Sequence, residues 1–157
     1  MREELSFRQV MGVFPTGVTV VAFRGEDEGP FGLTVNSFTS VSLDPPLVLV
    51  CIDRASSSHD ALVTASVFTV SILGAHQQDM ARRFAFEPAG ARFRDEEWRT
   101  EAGGALVPQG AAAWVMCDLQ AVHEGGDHSI LVGRVRSMGV GDDEALVFYR
   151  GRYGTVS

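Results

Sequence analysis

The sequence predicts a mainly β protein, a barrel carrying a few short helices, on three observations. Segments rich in β-branched residues or alternating apolar and polar residues recur from Gly17 to Val156. Helix-period patterns are few and short by comparison. No repeat, low-complexity tract or linker divides the 157 residues, so one domain over 1–157 is expected.

In chain order, Ser6-Phe-Arg-Gln9 matches a capping box, with Phe7, Val10, Met11 and Phe14 following at helical spacing until Pro15 stops the pattern. Gly17–Arg24 is a β-branched strand, Gly25–Pro30 its turn, and Phe31–Ser37 the returning strand. Leu33, Val35 and Val41 alternate with Thr34, Asn36, Ser40 and Ser42, which gives an extended chain one apolar face and one hydrogen-bonding face. Pro45-Pro46 breaks this stretch before the apolar strand Leu47–Ile52. A helix carrying Ala61, Leu62 and Ala65 follows, capped by Ser57 with Asp60 or by Ser58 alone. Val67–Leu73 is a further strand, and Gln77–Phe86 is a helix with Met80, Ala81 and Phe84 on one side. Glu87–Gly110 is irregular in pattern, with Phe93 and Trp98 either packing down as anchors or covering a site. Ala112–His123 and Ser129–Val140 flank the turn Glu124–Asp127 as a hairpin, and Leu146–Tyr149 and Tyr153–Val156 close the chain.

Composition narrows the functions. Apolar residues make up 45 % of the chain, enough to fold. A net charge of −7 without any Lys/Arg-rich run argues against nucleic acid and anionic membrane surfaces as partners, so an anionic ligand needs locally arranged donors. The N-terminus lacks the apolar core of a signal peptide, and no apolar run reaches membrane-spanning length. Cys51 and Cys117 sit in apolar strands and read as buried free thiols in a reducing cytoplasm. His59, His76, His123 and His128 show no metal-ligand spacing, so no metal site is expected.

Function concentrates in Gly32–Asp53 and the loop after it. A row of hydroxyls and an amide beside an apolar wall suits a flat ring with polar edges, although a Thr/Ser-rich strand of ordinary β propensity reads the same way. Asp53–Asp60 carries three serines and Arg54 into a helix N-terminus. That is a plausible anion cradle, or simply a capped helix with solvated serines, and it lacks the glycines of a dinucleotide fingerprint. His128 follows a Gly-Gly-Asp turn and, without further information, reads as a solvated turn histidine.

Four separated pieces occur in order: Phe14–Val21 (FPTGVTVV), Gly32–Pro46 (GLTVNSFTSVSLDPP), Gly126-Asp-His128, and Tyr149–Tyr153 (YRGRY). This combination resembles the small NAD(P)H:flavin reductases of the FMN-binding split-barrel group. These are reductase components that feed reduced flavin to two-component aromatic monooxygenases. The resemblance covers nearly the whole chain and implies a split β-barrel with Greek-key-like connections. It implies that Asn36, Ser37, Ser40, Val41 and Ser42 line the isoalloxazine ring, and that Cys51, Ile52 and Asp53 lie along the flavin's tail. Ser56, Ser57 and Ser58 would then lie near its phosphate, with Arg83 and Phe84 as further candidates for the same ligand. His128 would sit near the nicotinamide, with Tyr149 and Arg150 on that side.

It also implies a homodimer, a flavin-dependent monooxygenase as partner, and FMN or FAD with NADH or NADPH as cofactors. The absence of a basic cluster for a 2′-phosphate leans toward NADH. Hydride transfer between two stacked rings needs orientation more than an acid or base, which fits the absence of a catalytic triad or carboxylate pair. A flavin- or haem-binding carrier or sensor on the same barrel, and an oxidase of the pyridoxamine-phosphate type, are the alternatives.

Overall fold

The computed structural model describes residues 5–25 and 29–156. The order of elements is α1 (Phe7–Met11), β1 (Thr16–Gly17), β2 (Thr19–Arg24), β3 (Pro30–Val35), β4 (Phe38–Leu43), β5 (Pro46–Asp53), α2 (His59–Val63) and β6 (Val67–Ile72). There follow α3 (Gln78–Phe86), β7 (Trp98–Glu101), β8 (Ala105–Pro108), β9 (Ala113–Gly125), β10 (His128–Val140), β11 (Leu146–Tyr149) and β12 (Arg152–Thr155). The expected turn at Glu26-Asp27-Glu28 lies outside the described residues.

Seven strands pair antiparallel in the order β3-β2-β6-β9-β10-β5-β4. The two edges of this sheet, β3 and β4, are consecutive in the chain and joined only by Asn36-Ser37. Laid flat, seven strands would separate the edges by about 29 Å. The link can reach only about 11 Å, so the sheet must curl until its first and last strands meet. Closure is made without a β3–β4 ladder, by β3 and the link against β5. The Cys51 N–H donates to the Ser37 carbonyl at 3.2 Å and the Ser37 hydroxyl donates to the Cys51 carbonyl at 2.8 Å. The result is a split β-barrel with its seam between β3 and β5.

Alternation fills the interior. Val21 and Phe23 of β2, Leu33 and Val35 of β3, Val48, Val50 and Ile52 of β5, and Leu131 of β10 point inward, while Leu62 of α2 plugs one end. Val18 and Val20 face the other way, against Leu73, Met80, Ala81, Phe84 and Leu146. β2 is therefore buried on both faces, which is why its sequence is a nearly continuous apolar run rather than an alternating one. The helical spacing of Met80, Ala81 and Phe84 seats α3 on this outer layer, as expected. Cys117 is buried and free, and burial with neighbouring Asp118 pushes its thiol up to about 12, an inert group.

Several local expectations change. The Ser6–Gln9 capping box is present, but α1 ends at Met11 and buries none of its residues. Ser58 is the N-cap of α2, yet its side chain makes no cap hydrogen bond and its buried hydroxyl has no partner. Val41 does not join Leu33 and Val35, because a register shift between Ser40 and Ser42 breaks the period and leaves it exposed. The stretch after Glu87 holds a hairpin, β7–β8, that the sequence pattern did not predict. Phe93 and Trp98 are anchors: their rings pack 4.7 Å apart and meet Phe84 at 4.9 and 5.6 Å. The last turn, Arg150-Gly151, has φ of 49° and 76°, so both central residues are left-handed as a tight hairpin turn requires.

Candidate functional site

A cavity of about 370 Å³ opens at the seam. Its walls come from elements that the chain's own connections bring together. The end of β3 and the crossing link supply Leu33, Thr34, Val35, Asn36 and Ser37; the end of β5 and its loop supply Cys51, Ile52, Asp53, Ala55, Ser56 and Ser57. Phe84 and Ala85 of α3, Arg92, and His128 at the start of β10 complete it. Most apolar side chains come from β3, β5 and α3, and the polar groups come from strand ends and loops.

The polar rim is well determined. Ser37 and Cys51 are locked by their mutual hydrogen bonds. His128 pairs with Asp53 across β10 and β5, and the Arg54 N–H donates to the Asp127 carbonyl at 2.9 Å, tying the serine loop to the β9–β10 turn. On the other side of the same strand, Ser129 Oγ lies 2.8 Å from His59 Nε2, and His59 Nδ1 lies 2.8 Å from Asp60 Oδ1. His59 is buried, so α2 and the loop before it are pinned to the strand that carries His128. His128 itself is half-buried, with Nδ1 2.7 Å from Asp127 Oδ1. The hydrogen bond to His128, then its positive charge, hold the Asp127 carboxyl below the usual carboxylate range.

The serine loop is less of an anion cradle than its composition suggests. The amide of Ser56 donates to the Asp53 carbonyl at 3.0 Å, that of Ser58 to Ser56 Oγ at 3.3 Å, and that of His59 to the Ser56 carbonyl at 3.1 Å. These N–H groups are spent within the turn. What the loop presents to the cavity is the side of Ser56 and Ser57.

Of the residues named from sequence, Asn36, Ser37, Cys51, Ile52, Asp53, Ser56, Ser57, Phe84 and His128 converge on this cavity. Others lie elsewhere. Ser40, Val41 and Ser42 are further along β4, beyond the crossing link. Ser58 is buried beneath the loop. Arg83 is ion-paired with Glu97 and donates from Nε to the Arg92 carbonyl at 2.8 Å, facing a different concavity with Asp79 and Arg82. Tyr149 and Arg150 line a separate hollow with Arg152 and Tyr153 at the C-terminal hairpin. Leu33, Thr34 and Val35, read from sequence as part of the apolar wall and hydroxyl row, line it too. Ala55, Ala85 and Arg92 are lining residues that sequence reasoning missed, and nothing in the spacing around Arg92 sets it apart.

Residues 11–157 match the flavin reductase like domain family. The chain is 43 % identical over 152 residues to the FMN reductase (NADH) SmoA of Agrobacterium fabrum, covering 97 % of this chain and 86 % of that protein. It is 37 % identical over 148 residues to HsaB, the reductase subunit of a flavin-dependent monooxygenase in Rhodococcus jostii, covering 94 % and 75 %. Among solved structures, it superposes on the NADH:FAD oxidoreductase SgcE6 of Streptomyces globisporus C-1027 with a TM-score of 0.90 and 38 % identity, over 100 % of this chain and 98 % of that one.

Proposed function

The chain belongs to the flavin reductase-like family, and from that premise we propose that it transfers a hydride from NADH to FMN or FAD and supplies reduced flavin to a partner monooxygenase. It is an oxidoreductase. The observation that carries the assignment to this cavity is the convergence there of Asn36, Ser37, Cys51, Ile52, Asp53, Ser56, Ser57, Phe84 and His128 from separate parts of the chain. The volume falls within the range of small-molecule sites, about 300–1,000 Å³, and the mixture of apolar wall and polar rim fits a flat ring with hydrogen-bonding edges.

A bound flavin supplies the hydride-accepting ring, and the nicotinamide the donor; the chain's residues bind and orient. Leu33, Val35, Ile52 and Phe84 provide apolar surface that excludes water. Ser37, held by Cys51, and Asn36 offer edge groups from a link that cannot move without opening the barrel. Ser56 and Ser57 present hydroxyls to the ligand's polar tail. His128, oriented through Nδ1 by Asp127, stands at the nicotinamide side. Alignment of two rings in contact is the contribution such a site makes, since the reactive atoms belong to the cofactors.

The exposure of α1 supports a homodimer. Phe7 is 81 % and Phe14 is 69 % exposed, with Leu5, Val10 and Met11 beside them, so the apolar residues of α1 and its flanks lie uncovered among the described residues. We read residues 1–157 as one domain acting in the cytoplasm, where the free Cys51 and Cys117 would stay reduced.

Anaerobic stopped-flow absorbance at the oxidised-flavin band tests the function, with protein and FMN or FAD mixed against NADH and then NADPH. Rapid protein-dependent bleaching with NADH is expected. Flavin that binds and does not bleach overturns the reductase reading in favour of a carrier or sensor.

A further inference from the structure

Arg92 is a buried cation with no carboxylate partner among the described residues. It is 8 % exposed, and its hydrogen bonds go to two backbone carbonyls, from Nε to Glu87 at 2.9 Å and from Nη1 to Gly32 at 2.7 Å. The Arg–carboxylate pairs among the described residues use Arg83, Arg94, Arg99 and Arg136 and leave Arg92 out. Its neighbour in the fold, Arg83, is neutralised by Glu97, so the two guanidiniums are differently placed despite their shared contact through the Arg92 carbonyl. Burial pulls the Arg92 guanidinium below its usual value.

A guanidinium has five N–H donors, and those left by the two carbonyl bonds have no acceptor among the described residues. Taking a charge out of water is unfavourable unless an opposite charge and its acceptors replace the lost hydration. Arg92 lines the seam cavity, so an anion entering there would meet these donors. The other formal charge on the cavity wall, Asp53, is exposed at the rim and already accepts from the Ala55 N–H at 2.9 Å. The serine loop brings hydroxyls but has spent the Ser56, Ser58 and His59 amides internally.

We propose that Arg92 is the phosphate-binding side chain of this cavity, taking a phosphoryl oxygen of the nucleotide that enters it. This rests on the flavin reductase reading of the site. Two sources carry the same chemistry, the phosphate of the flavin and the pyrophosphate of the nicotinamide nucleotide.

Flavin binding measured by fluorescence quenching separates them, comparing FMN with riboflavin, which lacks the phosphate. Wild-type protein binds FMN at least about tenfold more tightly than riboflavin, and Arg92→Met brings the ratio to about one with riboflavin affinity kept. Arg92→Lys retains an intermediate preference. A ratio unchanged by Arg92→Met, with the KM for NADH raised about tenfold at constant kcat, assigns the contact to the nicotinamide's pyrophosphate instead. If FMN and riboflavin weaken equally with the KM for NADH unmoved, or nothing changes, Arg92 only staples the turn at Glu87 to β3 and the proposal is overturned.

Should the variants fail to fold, the wild-type protein decides. FMN preference or competition of inorganic pyrophosphate with NADH supports an anion site, and the absence of both overturns it. A wild-type protein that binds neither flavin nor NADH overturns the flavin reductase reading together with Arg92. One that binds both flavins equally, with NADH indifferent to pyrophosphate, overturns Arg92 alone.

Discussion

His128 is held at Nδ1 by Asp127, and its Nε2 has no hydrogen-bond partner among the described residues. In the proposed site, removing the ring should disturb the side assigned to the nicotinamide and leave the side assigned to the flavin, built from β3 and β5, in place. His128→Ala is expected to slow hydride transfer by up to about 10²-fold, the cost of a misplaced reactant, with FMN affinity within about twofold of wild type. Equal loss of both, in paired stopped-flow and fluorescence titrations, would remove the role given to His128. Asp127 carries a pH consequence. Its folded-state value is lowered, so the carboxylate's contribution to stability is present above the ordinary value of about 3.9 and is lost as pH falls through the lower folded midpoint. Carboxyl NMR should place that midpoint below about 3.9; one at or above it refutes the pairing. The site was partly legible at this scale. His128 stood in a recognisable Gly-Asp-His turn, whereas Arg92 lay in a polar, aperiodic stretch where a buried guanidinium and a solvated one look alike.

Gly32 joins three elements at one point. A Cβ there would lie 2.8 Å from Phe84 Cε1 and 3.0 Å from Phe93 Cζ, both in packed aromatic rings, and the Gly32 carbonyl accepts from Arg92. Gly32→Ala should therefore destabilise by about 1–3 kcal/mol through overpacking, lowering the thermal midpoint by about 2–4 °C per kcal/mol. A midpoint equal to wild type in a thermal melt would mean that the rings move aside. Apolar and β-branched runs placed β2, β3, β5, β6, β9 and β10 closely, because each has a face in a buried core. The β7–β8 hairpin escaped, since four-residue strands are too short for a period and β8 is buried throughout. The mid-strand register shift that exposes Val41 is likewise set by pairing with β5, a partner the local sequence does not name.

At the scale of the molecule, most strands of the seven-stranded sheet were readable but their order was not, because β6 and β9 insert between segments distant in the chain. The apolar residues on α1 make a solution prediction. Sedimentation velocity should show a dimer for the wild-type protein, and Phe7→Glu with Phe14→Glu should shift it to monomer. A wild-type monomer at micromolar concentration would sink the dimer.

Asn36 and Ser37, the short bridge across the seam, also bear on how the protein stays dispersed. β3 and β4 are the two ends of an otherwise continuous sheet, and unpaired strand edges are templates on which other chains aggregate. Drawing those ends toward each other shortens the open edge at the place where the cavity lies. Substitutions that loosen the bridge would therefore reveal themselves first as precipitation during expression, and a ligand seated in the seam would act as a solubilising clasp.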